Sequence, residues 1–244
     1  MTDTASRRDT LISKRENRRM FDAIARRYDL MNKIISLGCD RRWRQRAIDA
    51  LGCVPGGRYL DVGSGTGDLA IDIVSREQRA RVVGLDPSIG MLAIGREKIA
   101  ASKLSPTVTF TAGDAMFLPF KDDSMDGIIL GFCIRNVEDR IAAVREFSRV
   151  LKPGGRLVIL ELTVPENPFF SLGHRIYTST AIPAISYLLT QKGAYDYLVK
   201  SVRAFPKAGD FLSEMKKVGF GSGEAIPLLL GSVTIFVLAK QNAE

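Results

Sequence analysis

Three carboxylates, Asp61, Asp68 and Asp86, stand where a chain could hold a cation and a ribose. The first two flank the stretch Leu60-Asp61-Val62-Gly63-Ser64-Gly65-Thr66-Gly67-Asp68. It reads as a buried strand that turns sharply, on three glycines, into a helix. Such a turn lets a ligand lie against bare backbone, because no Cβ stands in the way. Asp86 closes the next apolar run, Val82-Val83-Gly84-Leu85-Asp86, 19 residues after the last glycine. A carboxylate at that strand end is placed to accept hydrogen bonds from a ribose diol. The pair points to a nucleoside-containing cofactor at the carboxyl ends of parallel strands.

The spacing narrows the cofactor. Dinucleotide loops follow Gly-x-Gly-x-x-Gly, with a pyrophosphate on the helix N-terminus. Here the third glycine arrives one residue early, and two carboxylates flank the loop. Like charges repel, so this loop is a poor seat for a pyrophosphate. It suits the sulfonium and ammonium groups of S-adenosyl-L-methionine. The competing readings are a plain tight turn and a nicotinamide oxidoreductase, the latter disfavoured by the early glycine.

These residues need elements to carry them. The apolar pattern from Arg58 onward alternates between strand and helix. Strands are expected at Tyr59–Val62, Arg81–Leu85, Val108–Thr111, Met125–Gly131 and Arg156–Glu161. Helices are expected over 66–77, from the cap Ser88 to about Ala101, and over Val137–Leu151. Lys152-Pro153-Gly154-Gly155 reads as a helix stop and tight turn. The alternation predicts an α/β fold, a doubly wound parallel sheet with helices on both faces. Residues 14–51 read as helices, punctuated by Gly38 and Gly52, with Phe21, Ile24, Ala25, Tyr28 and Met31 at helical spacing. The first ten residues or so read as disordered. Residues 1–52 thus form an N-terminal helical cap and 53–244 the cofactor-binding domain. Within the latter, 165–203 break the rhythm with Phe169, Phe170, Tyr177, Tyr187, Tyr195 and Tyr197. That segment reads as a helical lid over the carboxyl end of the sheet. Residues 206–218 resume as a helix, and Ile226–Ala239 as two strands joined by a bend.

Composition excludes several classes. Cys39, Cys53 and Cys133 are few, scattered and odd in number, so neither a disulfide framework nor a metal cluster is expected. His174 is the single histidine, which argues against a histidine-driven triad or metal site. No apolar h-region marks a secretory signal, and no apolar run reaches the roughly 20 residues of a membrane span. A reducing, cytoplasmic setting is expected. The net charge is +8, and residues 1–50 hold 13 Lys or Arg against 7 Asp or Glu. That excess reads as a solvated helical face, a patch for anionic lipid headgroups, or a nucleic-acid patch. No RNA-binding module is recognisable, so an RNA methyltransferase is the remote alternative and no nucleic-acid partner is expected.

Further segments are more specific: Phe21-Asp22-Ala23-Ile24-Ala25, Tyr28-Asp29-Leu30-Met31-Asn32 and Asp40-Arg41-Arg42-Trp43-Arg44. Later come Gly131-Phe132-Cys133-Ile134-Arg135-Asn136-Val137, Leu151-Lys152-Pro153-Gly154-Gly155-Arg156 and Phe205-Pro206. With the glycine loop, these resemble the membrane-quinone C-methyltransferases among class I S-adenosylmethionine enzymes, from about Phe21 to Lys240. The resemblance implies a Rossmann-like sheet of seven strands with the last antiparallel. It implies methylation of demethylmenaquinol, or of the benzoquinol precursor of ubiquinone. It also implies cofactor contacts at Thr66, Asp86, Asp114, Ala115 and Gly131, to which the reading of the loop itself adds Asp61, Gly63 and Gly65. Relatives often carry serine at the position of Gly131, so a side-chain contact is lost there. Relatives acting on the ubiquinone precursor tend to end with a histidine after the last strand. This chain lacks one, which favours the menaquinone substrate. A homodimer is one assembly open to such a chain.

The reaction moves a methyl group in line from sulfur to a ring carbon, with water excluded. The quinol must shed a phenolic proton, so a base or an activated water is needed. The resemblance gives this work to Arg135 and Asn136, with Tyr28 and Asp29 at the substrate mouth. An arginine is a poor proton acceptor, so Arg135 is expected to stabilise a phenolate or orient a water. The alternative is that Arg135 pairs with Glu138 or Asp139 and Asn136 caps the next helix. Glu161 either faces the pocket or ties down the lid. His174 is a further candidate base, and Phe169, Phe170, Ile182, Ile185, Leu188 and Leu189 are candidate channel residues for a polyprenyl tail. The basic N-terminus then holds the enzyme peripherally at the inner face of the cell membrane, through roughly 1 kcal/mol per well-placed basic residue.

Overall fold

The central strands of the chain are buried on both faces, and that dictates what surrounds them. Met125–Gly131 and the second half of Leu151–Leu162 are continuous apolar runs with almost no exposed position. Such strands are stable only when helices cover both sides. The computed structural model describes residues 12–102, 107–173, 175, 179–180 and 192–241, with side chains from 197 onward in the last stretch. The expectations for residues 1–10, for His174, Tyr177 and Tyr187, for the Tyr195 side chain and for the channel positions 182–189 lie outside them.

In chain order the elements are α1 (Lys14–Ile35), α2 (Asp40–Leu51), β1 (Arg58–Val62), α3 (Asp68–Arg76), β2 (Arg81–Asp86), α4 (Ile89–Ala101) and β3 (Val108–Ala112). They continue with β4 (Met125–Gly131), α5 (Arg140–Val150), β5 (Leu151–Leu162), α6 (Lys192–Arg203), α7 (Ala208–Lys216), β6 (Phe220–Leu228) and β7 (Val233–Lys240). The sheet has seven strands in the order β3-β2-β1-β4-β5-β7-β6. β1 to β5 pair in parallel, and β7 runs antiparallel between β5 and β6. Strand order therefore reverses between β1 and β4. Ligands of open α/β sheets bind at such a switch point, outside the carboxyl ends of the strands.

One face of the sheet buries Phe147 of α5 and Phe211 of α7, and Phe211 meets Phe236 edge-on at 4.7 Å. The opposite face buries Ile48 of α2 and Ile73 of α3 with Tyr59, Ile129 and Val158. α2, expected within a separate cap, thus shares the core of the sheet. α1 packs differently: Ile24, Ala25 and Met31 lie on Met91 of α4, away from both sheet faces. A capping box of Ser13 and Glu16 starts α1.

Two local expectations shift. The helix after β4 begins at Arg140, not Val137, because Val137 is extended and Asp139 is the cap, its carboxylate accepting from the Ala142 N–H at 2.9 Å. β5 starts at Leu151 with no separate turn before it. Its pairing advances from Leu151 opposite Met125 to Arg156 opposite Gly127, so the surplus residues around left-handed Gly154 bulge from the strand.

Phe110 of β3 explains three glycines at once. A Cβ on Gly67 would stand 2.5 Å from its ring, one on Gly84 2.6 Å and one on Gly95 2.9 Å. The ring is a plug under the glycine loop, seated by a loop, a strand and a helix together. Gly84→Ala is therefore expected to destabilise by about 1–3 kcal/mol, although alanine normally improves a strand interior. Denaturant unfolding of Gly84→Ala and of Gly84→Ala/Phe110→Leu checks this, the second change restoring part of the loss.

Candidate cofactor and acceptor site

The turn after β1 is built by hydrogen bonds to the end of β2. The N–H groups of Gly63 and Ser64 both donate to the Leu85 carbonyl, at 2.7 and 3.1 Å. The Gly65 N–H donates to Asp86 Oδ2 at 2.9 Å, while the Ser88 N–H donates to Asp86 Oδ1 at 2.8 Å. Gly63, Gly65 and Gly67 all take left-handed backbone. Their surroundings differ: a Cβ on Gly63 would strike Cys133 Sγ, whereas Gly65 has only Tyr28 Cε1 at 3.7 Å. Gly65 is thus the position where backbone lies open.

Burial decides the state of both acids beside this turn. It pushes the Asp86 carboxyl up to about 6 against the two backbone N–H groups it accepts from. Asp61 is fully buried on β1. Its Oδ2 accepts from the Ala70 N–H at 3.2 Å, and its Oδ1 has no partner. Burial there, reinforced by Asp86 and Asp68, drives the carboxyl up to about 8. Asp68 does not act as the second free acid. It pairs with Lys98 at 2.6 Å and with Arg44 at 3.5 Å. Arg44 also meets Asp40 at 2.6 Å and Asp72 at 2.9 Å.

A cleft runs over the loop, lined among others by Tyr28, Asp29, Arg44, Asp61, Gly63, Gly65, Thr66 and Gly131. Asp86, Asp114, Ala115, Arg135 and Asn136 lie outside that lining. α1 makes polar contacts past the ends of β3, β2 and β1 in turn. Lys14 Nζ reaches Asp114 Oδ2 at 2.9 Å past β3, where Asp114 also accepts from the Met116 N–H. Asp22 accepts from the Ser88 hydroxyl at 2.6 Å and the Gly90 N–H at 2.9 Å past β2. Asp29 accepts from the Thr66 hydroxyl at 2.5 Å past β1. Ala115 is buried in the core cluster of the sheet.

Arg135 sits in a short 3₁₀ turn after β4 and is buried. It does not pair with Glu138 or Asp139. Its Nη1 donates to Glu161 Oε1 at 2.6 Å and to the Phe132 carbonyl at 2.5 Å. Glu161 accepts in addition from the Arg135 and Leu162 N–H groups, so it fixes the arginine rather than the lid. Burial opposes the guanidinium charge, but Glu161, Tyr28 and Tyr197 around it hold the group above its ordinary value. Arg135 Nε and Asn136 Oδ1 are buried and have no partner. Asn136 caps no helix; Asp139 does. Burial raises the Tyr28 hydroxyl, against Asn32 and Arg135. Tyr28 therefore couples the cleft to the arginine.

Lys98 escaped sequence reasoning, and Asp22 and Tyr197 read there only as a motif member and a lid aromatic. Tyr197 accepts from Asn17 of α1 at 2.9 Å and faces Arg135. Only the amphipathic stripe of α1 signalled that this helix covers something. Among the described residues no group of three His, Cys, Asp or Glu could hold a metal.

A seven-stranded sheet with this loop at its switch point defines a class I methyltransferase. The model of the ubiE/COQ5 methyltransferase family matches residues 9–240, and the chain belongs to that family. It is 41% identical to the ubiquinone/menaquinone biosynthesis C-methyltransferase UbiE of Geobacter sulfurreducens, over 91% of this chain and 88% of that one. It is 39% identical to the demethylmenaquinone methyltransferase of Bacteroides fragilis, over 91% of each. In fold it is similar to a putative S-adenosyl-L-methionine-dependent methyltransferase of Methanococcus maripaludis (TM-score 0.65, 21% identity, 91% of this chain and 94% of that one). It is also similar to a Haemonchus contortus phosphoethanolamine N-methyltransferase in complex with S-adenosyl-L-methionine (TM-score 0.62, 18% identity, 82% and 52%).

The residues fit S-adenosyl-L-methionine. The partnerless oxygen of Asp61 suits an ammonium, the open Gly65 backbone admits a ligand, and the Asp86 carboxylate suits a ribose. The Asp61 carboxyl is neutral near pH 6 and anionic above about 8, and only the anion attracts a cation. Donor affinity should therefore rise with pH across that interval and flatten in Asp61→Asn, as titration calorimetry at several pH values would read. The same shift acts on stability in the opposite sense. A carboxyl raised from its ordinary value of about 4 stabilises the fold below that value, and the contribution is lost as pH rises through about 8.

Proposed function

We propose that the chain transfers the methyl group of S-adenosyl-L-methionine to a ring carbon of a polyprenyl quinol, with demethylmenaquinol as the acceptor. The bound donor supplies an electrophilic methyl on a positively charged sulfur. The observation carrying the acceptor side is the pair of buried, partnerless groups after β4. Arg135 Nε–H is a donor without an acceptor, and Asn136 Oδ1 is an acceptor without a donor. Buried polar groups are rarely left so, and a ligand is one reason for the exception. A hydroquinone offers both complements, an oxygen that gains charge and an O–H that donates.

Arg135 acts through charge. Paired with Glu161, it stays a cation and stabilises the phenolate formed as the ring hydroxyl gives its proton to solvent water; the methyl then moves to the ring carbon, the sulfur leaves as a neutral thioether, and the displaced ring proton also passes to water. Glu161 and the Phe132 carbonyl fix its position in advance, so no reorganisation is needed as the charge develops. Asn136 holds the ring hydroxyl, and Tyr28 closes the space between the arginine and the glycine loop. The names of the relatives support quinone methylation in menaquinone or ubiquinone biosynthesis.

Purified protein with labelled donor and reduced demethylmenaquinone should yield menaquinol, identified by mass spectrometry. The methoxy-polyprenyl benzoquinol is the second acceptor to assay; faster turnover of it reverses the choice. Arg135→Ala should still bind donor while kcat falls about 10²–10³-fold, the usual loss for one such donor. Normal turnover would end its role.

A polyprenyl acceptor also requires approach to a bilayer. The exposed side of α1 carries Arg15, Arg19, Arg26 and Lys33 with Leu30, and exposed Leu37 follows in the turn after it. The rim beyond β5 and the β6–β7 turn exposes Phe169, Leu172, Leu229 and Leu230. Both lie at the carboxyl edge of the parallel strands. Among the described residues no helix is long and apolar enough to cross a membrane. Flotation with anionic vesicles should carry the protein at low salt and release it at high salt; no lipid dependence at low salt removes this step.

A further inference from the structure

We infer that Lys98 is a positioning residue for the methyl donor: it clamps α1 onto the glycine loop through Asp29 and Thr66. The inference rests on the reading of the cleft as the donor site. Lys98 projects from α4 and joins three elements at one ammonium. It meets Asp29 of α1 at 2.6 Å, Asp68 at the start of α3 at 2.6 Å, and the Thr66 hydroxyl at 2.9 Å. The Thr66 hydroxyl donates in turn to Asp29 Oδ1 at 2.5 Å. Its only proton is thus spent on α1, which leaves the Thr66 backbone and its open lone pair to face a ligand.

The position of this knot gives it leverage. α1 touches the site above β3, β2 and β1, at Lys14, Asp22 and Asp29. The contact above β3 is exposed and screened by solvent. The contact above β1 is tighter, with Lys98 about a quarter exposed and bonded on three sides. It lies directly beside the cleft, which Asp29, Asp40, Asp61 and Asp68 line with Arg44. Without Lys98, Asp29 and Asp68 face each other across the loop as like charges. α1 then loses its hold where it covers the donor. A donor under α1 exchanges only when this end lifts, so Lys98 governs how long the donor stays.

S-adenosylhomocysteine is the probe, because it is stable and its binding needs no acceptor. Calorimetry should show Lys98→Met weakening it about tenfold, with stopped-flow dissociation faster by a similar factor. Asp29→Asn, nearly the same in shape, should weaken binding comparably, and the double variant should add little beyond either single one. Lys98→Arg should return affinity to within about twofold of the wild type, which a role in folding alone does not require. The Michaelis constant of the quinol should not follow these changes. The clamp is overturned if Lys98→Met and Asp29→Asn bind normally, or if Lys98→Arg is as weak as Lys98→Met. Wild-type protein that binds neither the donor nor this product would instead defeat the donor-site reading.

Discussion

The Asp86 carboxylate is the joint on which the site depends. It receives the Gly65 N–H from the turn after β1 and the Ser88 N–H from the first turn of α4. Ser88 passes the connection on, since its hydroxyl donates to Asp22 of α1 and accepts from the Met91 N–H. One unbroken series of hydrogen bonds therefore runs from the glycine loop through the end of β2 to the helix that covers both. The carboxylate works against burial, which raises its proton affinity. Charge-assisted bonds to two fixed N–H groups offset part of that cost. Hydroxyl donors from a ribose would offset more, because each oxygen can accept a second bond. The loop is thus shaped before any ligand arrives.

A second concentration of unfavourable terms lies at the ends of β4 and β5. Phe132 holds left-handed backbone, a conformation that costs a bulky residue about 1–3 kcal/mol. The distortion aims its carbonyl at Arg135 Nη1, and Trp43 of α2 packs edge-on against its ring. The Arg135–Glu161 pair is buried beside it, and such pairs seldom add net stability over an apolar substitute. The stability that tolerates this comes from the continuous apolar strands directly beneath. Leu130, Ile159 and Leu160 are all fully buried within a few residues of the strained turn. Rigid strands and a strained end are one arrangement: the first holds the second in a geometry the chain would otherwise leave.

What could be read from the sequence divides by range. Strand–helix alternation, the glycine turn and the Asp86 strand end are encoded within short windows, and all stand where the residues imply. The Ser88 cap falls likewise at the start of α4. Interactions joined across many tens of residues were not legible. Lys98 looks like any lysine on a helix, and nothing near it names Asp29 as its partner. Asp68 looked like a ligand for a cation because it flanks the loop, yet its charge is taken up by Lys98 and Arg44. The alternative reading of Arg135, a pair with its sequence neighbours Glu138 or Asp139, does not form. Glu161 won because β5 lies beside β4 in the sheet and brings a fully buried carboxylate to the same end. The cap moved from Asn136 to Asp139 for a local reason: Val137 is β-branched and extended, so the helix cannot start before it.

Charge then gives the site a direction. The protein is basic overall, yet its cleft gathers Asp29, Asp40, Asp61 and Asp68 around Arg44, with Lys98 closing one side. Arg44 and Lys98 between them engage Asp29, Asp40 and Asp68, whereas one buried oxygen of Asp61 has no partner. A ligand with one more positive charge than its product is favoured in such a place, because low-dielectric surroundings magnify the difference. Methyl transfer from a sulfonium removes one positive charge at sulfur. The acidic cleft therefore contributes an electrostatic preference for the sulfonium over the spent thioether.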